Sequence, residues 1–216
     1  MSSFTTASTQ IYLKLKERIL SGDLKPGTHL VRRQIAAECG TSPIPVIEAL
    51  FRLELDGLAE SEPKFGARVM TFDEPRIRDG EVFREALECE AARRFSVNAS
   101  QRDREDLRAL ADRVDALQHG SAPQSAEAVS AHRDLHLFIA RSGGHPVLER
   151  ELTRLWWWMV PAGWVDPVAY PVPGDWHGKL AQAVAGNEAQ LAESAMRENV
   201  NLNRDAHLAA LLGWFG

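Results

Sequence analysis

The chain of 216 residues has no apolar run near the ~20 residues that a membrane-spanning helix requires. A helical membrane protein is therefore excluded. Its first ten residues, MSSFTTASTQ, have neither a basic start nor an apolar core, so no secretory leader is expected. Cysteine is scarce: Cys39 and Cys89 stand at no motif spacing. They are expected as reduced structural thiols, Cys39 on a buried helix face, in a reducing cytoplasmic compartment. An excess of positive charge is also missing, since the formal net charge is −5. That overall balance does not advertise a nucleic-acid binder, but the charge is unevenly spread. Residues 1–72 hold nine Lys and Arg against eight Asp and Glu, so the acidic excess lies entirely in the remainder. There is no internal repeat, no low-complexity tract, and no strand pattern after residue 72.

What is present is helical periodicity. Ile11, Leu15 and Ile19 lie four apart, predicting an amphipathic helix over 8–21. SGDLKPGTHL reads as a loop through Gly22, Pro26 and Gly27. A short helix over 31–38 is expected to end at Gly40. A two-residue step, Cys39 and Gly40, is then the tight turn before the next helix. That helix, 42–54, has Ser42 as its cap, Pro43 at its first position and a stripe of Val46, Ala49, Leu50 and Leu53. Gly57 stops it, and LAESEPKFGARVMT reads as a two-stranded hairpin. Three helices followed by such a hairpin make a winged helix-turn-helix, here spanning 8–72. Helices are then expected near 75–96, 101–118, 125–142, 145–159, 175–186 and 188–211. The fold class is mainly α: a winged helix-turn-helix followed by an all-α bundle of about six helices over 75–212.

The stretch IYLKLKERILSGDLKPGTHLVRRQIAAECGTSPIPVIEALFRLELDGL resembles the GntR family of bacterial transcriptional regulators. FREALECEAA (83–92), HRDLHLFIARSGGHPVL (132–148) and WHGKLAQAVAGNEAQLAESAMREN (176–199) resemble the FadR-type, or FCD, effector-binding branch. The resemblance implies a homodimer that binds a palindromic operator in double-stranded DNA. It also implies a small metabolite, usually a carboxylate, bound in the helical domain, and no enzymatic activity.

The DNA-facing residues depart from the family pattern. Pro43 and Ile47 stand where the family usually carries arginines, and Phe65 stands where a basic wing residue is common. Pro43, Ile44 and Ile47 cannot donate to phosphate or guanine; they could touch thymine methyl groups. Arg33 matches a DNA-contacting position of the family, with Arg32 beside it. Thr41, Ser42, Arg52, Lys64 and Arg68 are further candidates for phosphate contact, as are the backbone amides that open helix 42–54. The alternative is that Ile44, Ile47 and Phe51 pack against protein, leaving a sensor with degenerate DNA binding.

His132 and His136 lie four apart on one predicted helix, and His177 opens a later one. In metal-containing members of the branch, an aspartate and three histidines occupy the matching positions. His136 and His177 match; His132 replaces the aspartate and Asn199 replaces the third histidine. His132, His136 and His177 could hold one divalent transition ion of the zinc or nickel type. Alternatively, with Asn199 and Trp176, they hold an effector directly. Arg84 stands where the family often grips an effector carboxylate; the competing reading is a surface pair with Glu88. Five of the six tryptophans fall in LWWWMVPAGWVDPVAYPVPGDWH. Some of Trp156–Trp158, Trp164 and Trp176 could wall the effector pocket, favouring an aromatic or hydrophobic acid. A metal-dependent enzyme built on the three histidines is a third reading, but no general base is placed beside them by motif.

Overall fold

The computed structural model describes residues 6–62, 66–123, 125–159, 173–202 and 204–215. The chain divides into two compact units at Asp73 and Glu74.

In the first unit, α1 (Ala7–Leu20) is capped by the Thr6 hydroxyl, which accepts from the Thr9 amide. Its buried stripe of Ile11, Tyr12, Leu15 and Ile19 packs on α3 (Pro43–Leu55) through Val46, Ala49, Leu50 and Leu53. Each of the Ile, Leu and Val side chains among them contributes roughly 1.5–3 kcal/mol by leaving water. Between them lies α2 (Arg32–Glu38), closed by Gly40 in the left-handed region at φ 59°. The turn from α2 to α3 is four residues, Cys39–Ser42, where the sequence suggested a two-residue step. Cys39 is only half-buried, at the C-terminal cap of α2, which corrects its expected place on a buried face.

The wing is a three-stranded sheet, not the expected two-stranded hairpin. Strand β1 (His29–Val31) joins β2 (Ala59–Glu62) and β3 (Gly66–Val69) in the antiparallel order β1-β3-β2. Three residues are too few to show a period of two, so β1 was hidden in the loop before α2. It completes the β3 edge by pairing Leu30 with Ala67, and it buries Leu30. Gly66 is required at its position: at φ 119° a β-carbon would meet the Leu30 carbonyl oxygen at 2.9 Å.

The second unit is helical throughout its described residues. Its elements are α4 (Glu74–Asn98), α5 (Gln101–Gln118), α6 (Ala126–Ser142), α7 (Pro146–Met159), α8 (Trp176–Val184), α9 (Ala189–Asn201) and α10 (Arg204–Phe215). The single helix expected near 188–211 is therefore two. It breaks at Leu202, which is extended at φ −60° and ψ 125°. The break falls in NLNRD, a stretch whose Asn and Asp residues have weak helix preference. Helix α4 runs through the middle, packing on α6, α7, α8 and α9. A buried arginine ties α4, α5 and α8: Arg104 donates to the carbonyls of Ser96, Ala185 and Gly186.

Candidate functional site

In a helix-turn-helix, the first residues of the second helix lie against base edges. That helix is α3. Its inward stripe is buried, and the opposite face is open: Ile44 is 68%, Ile47 46% and Phe51 58% exposed. Glu48 is exposed on the same face. Ser42 occupies the N-cap by backbone conformation, but its side chain makes no capping bond, contrary to expectation. The reason is local. The usual donor to such a cap is the amide three residues on, and that residue is Pro45. Pro43 and Pro45 together remove two of the amides that a phosphate could otherwise use at this end.

The candidate cations divide into two groups. Arg32 and Arg33 are exposed at the start of α2. Arg52 instead turns back onto α1: it donates to the Thr9 hydroxyl at 3.0 Å and lies 4.1 Å over the Tyr12 ring. The Tyr12 hydroxyl donates to Asp56 at 2.5 Å and accepts from Lys16 at 3.0 Å. Burial, then the Asp56 carboxylate, push this phenol above its ordinary pKa. Arg52 therefore contributes to the α1–α3 junction. Arg68 faces Glu60 across the sheet at 2.6 Å, so its charge is matched on the strand beside it. Thr41 is half-buried and Ser42 exposed. Lys64 and Phe65 lie outside the described residues.

The second cluster is built around α4, whose inward face carries Glu81, Arg84 and Glu88, all buried. Arg84 donates from Nε to Glu88 Oε1 at 2.8 Å, and its Nη1 lies 3.9 Å from Glu81. The pair is buried, which corrects its reading as a surface pair. Its guanidinium is partly engaged: Nε is held by Glu88, Nη1 lies only within ion-pair range of Glu81, and the group lies 4.9 Å from the Trp156 ring. The second Glu88 oxygen accepts from His136 Nδ1. Burial alone would raise the Glu88 carboxyl; His136 and Arg84 outweigh it and hold the group down at about 2.

Helix α6 places His132 and His136 with Nε2 atoms 3.1 Å apart. The His177 ring, from α8, lies 4.9 Å from that of His132. Asp115 on α5 fixes His177: it accepts from the ring Nδ1 at 2.7 Å and from the amides of His177 and Gly178. Burial lowers the His177 pKa and favours the neutral ring. With Nδ1–H spent on Asp115, the Nε2 lone pair is left on the far edge. Trp156, 1% exposed, contacts both His132 and His136 edgewise or tilted, and its indole N–H is buried with no hydrogen-bond partner among the described residues. On α9, buried Asn199 likewise has an amide nitrogen without a partner among the described residues. Trp176 is half-buried at the start of α8. The side chains of Trp157, Trp158 and Trp164 lie outside what is described.

The three histidines therefore do come together, and Arg84 and Trp156 join them. Among the described residues, however, no group of three or more His, Cys, Asp or Glu side chains is arranged to hold a metal ion. His132 and His136 meet each other through Nε2 at hydrogen-bonding distance, and Asn199 brings a donor nitrogen in place of a ligand. Nothing among the described residues confirms the zinc- or nickel-type ion that the family likeness implies. Sequence reasoning missed Asp115 altogether and saw Glu88 only as an outward partner of Arg84.

A family model described as bacterial regulatory proteins of the gntR family matches residues 7–69. A model of the FCD domain matches residues 81–202. An uncharacterized HTH-type transcriptional regulator of Streptomyces ambofaciens is 40% identical over 83 residues, 38% of this chain and 35% of that protein. The HTH-type transcriptional repressor RspR of Escherichia coli is 34% identical over 85 residues, 39% of this chain and 37% of its own. The chain thus matches little more than a third of the length of these relatives. The solved structure of E. coli McbR/YncC superposes with a TM-score of 0.73 at 21% identity, covering 98% of this chain and 99% of that one. That likeness concerns the fold.

Proposed function

Since the chain belongs to the GntR family, in its FCD branch, we propose that it is a DNA-binding transcriptional regulator whose operator affinity is set by a small molecule held in the helical unit. The observation that carries this reading is a buried polar cluster with an unmet donor, Trp156 Nε1, in a chain whose helix-turn-helix leaves the outer face of α3 open. A buried N–H without a partner costs about 1–3 kcal/mol, which a ligand acceptor atom would recover. The reading includes a homodimer on a palindromic duplex in the cytoplasm; no described helix is long and apolar enough to cross a membrane. No catalytic role is proposed.

A carboxylate-type metabolite remains the proposed ligand class. The acid would meet the indole N–H of Trp156 and the imidazoles beside the Arg84 guanidinium, whose Nε is held by Glu88. A metal ion forms no part of the reading. Protein purified without a histidine tag is expected to carry no stoichiometric zinc or nickel by elemental analysis; a full equivalent, retained after dialysis, would restore the metal centre.

The DNA-binding half is tested by titrating the full chain against its own upstream DNA and a random duplex at two salt concentrations. Preference for the upstream site with salt-weakened binding is expected; no preference and no salt response would end it. The sensing half is tested with Trp156→Phe, which removes the N–H but keeps an aromatic ring, its stability being measured alongside because the smaller ring leaves a cavity. Across a panel of small acids, the one that raises the melting temperature of the native chain is expected to lose most of that effect in the variant. An unchanged response would remove Trp156 from the site.

A further inference from the structure

On a helix of 3.6 residues per turn, Ile44, Ile47, Glu48 and Phe51 fall within an arc of roughly 100°, opposite the buried stripe of α3. The page of side chains offered there is unusual for a DNA-reading surface: three hydrocarbons and one carboxylate. The nearest cation on the helix, Arg52, turns to Thr9 and Tyr12 on α1. Guanine presents two acceptors in the major groove and needs a donor, which this face does not carry. Thymine presents a methyl group and cytosine an amino donor, and these match isoleucine and glutamate respectively. Phosphate contacts can be supplied from outside α3, by the exposed Arg32 and Arg33 of α2.

We infer that α3 reads pyrimidines: Ile44 and Ile47 recognise thymine through its 5-methyl group, and Glu48 accepts from the cytosine amino group. The inference rests on the DNA-binding reading above and adds the base preference to it. It makes Ile44, Ile47 and Glu48 the specificity-determining residues, and it makes methyl burial the source of discrimination. One buried methyl is worth about fourfold in affinity.

The test begins by selecting duplexes from a randomised pool with the full chain. The selected sites are then remade with each thymine replaced by deoxyuridine, which deletes the methyl and nothing else. Loss of about fourfold for each of one or two thymines per half-site is expected. Ile47→Ala is expected to bind one of those thymine and deoxyuridine duplexes equally, and Glu48→Gln to relax a cytosine position. All three positions are exposed, so thermal melting should be unchanged and a folding defect is distinguishable. Selected sites that bind equally with deoxyuridine throughout, or that are built on guanine contacts, would overturn the inference while leaving the regulator reading intact. Failure to enrich any duplex over the starting pool would sink both, and would favour a protein partner on this face.

Discussion

Glu88→Ala is expected to destabilise the helical unit by about 3–5 kcal/mol, the cost of removing one partner from a buried ion pair. Two groups lose by it. Arg84 keeps only Glu81, at 3.9 Å, and His136 loses the acceptor on its Nδ1. Chemical denaturation followed by far-ultraviolet circular dichroism at neutral pH reads this directly. The pH dependence follows from the direction of the shift. The Glu88 carboxyl is held at about 2 in the fold, below its ordinary 4.5. A depressed carboxyl stabilises the fold fully above the unfolded value, and that contribution drains away as pH falls from 4.5 toward 2. The native chain is therefore expected to lose stability steeply over that window, and Glu88→Gln, which cannot titrate, to lose it less steeply. Parallel acid limbs would show that another group controls acid stability.

Replacing Arg32 and Arg33 together by alanine is expected to act on DNA affinity and leave the fold alone, because both side chains are exposed. Binding falls with salt by about 0.9 logarithmic units per phosphate contact, so each contact is worth about eightfold at 0.1 M salt relative to 1 M. The double variant should therefore bind on the order of sixtyfold more weakly per half-site at that salt, with a salt slope lower by about 1.8 for each half-site. The loss should be the same for selected and random duplexes, since phosphate contacts carry no sequence. Arg52→Ala is the informative contrast. Its guanidinium sits on the α1–α3 junction, so the main expected change is in melting temperature, with the salt slope preserved. A reduced slope in that variant would return Arg52 to the DNA surface.

The sequence made the helices legible wherever apolar residues repeat at helical spacing, as in α1 and α3, and the GntR and FCD likeness was legible in local motifs. It could not reveal β1, because three residues carry no period. It could not reveal the inward face of α4 either, for a more instructive reason. Ile77, Glu81, Arg84, Glu88, Ala92 and Phe95 follow one helical stripe, all buried, but the middle three are charged. A search for apolar periodicity reads those positions as surface. Only their mutual pairing across α4, α6 and α7 makes their burial tolerable, and pairing between distant elements leaves no mark in spacing. The same limit hid Asp115, which lies 62 residues from the histidine it holds. In the first unit, the spacing of Arg52 gave its face correctly but not the stacking on Tyr12 that withdraws it.

Helix α8 is fastened to α5 at both of its ends. Asp115 grips the backbone at His177 and Gly178, and Arg104 grips the carbonyls of Ala185 and Gly186. Both attachments are on one neighbouring rod, so a guest molecule pressing on the His177 ring would bear on α5 through Asp115 as well as on α8 itself.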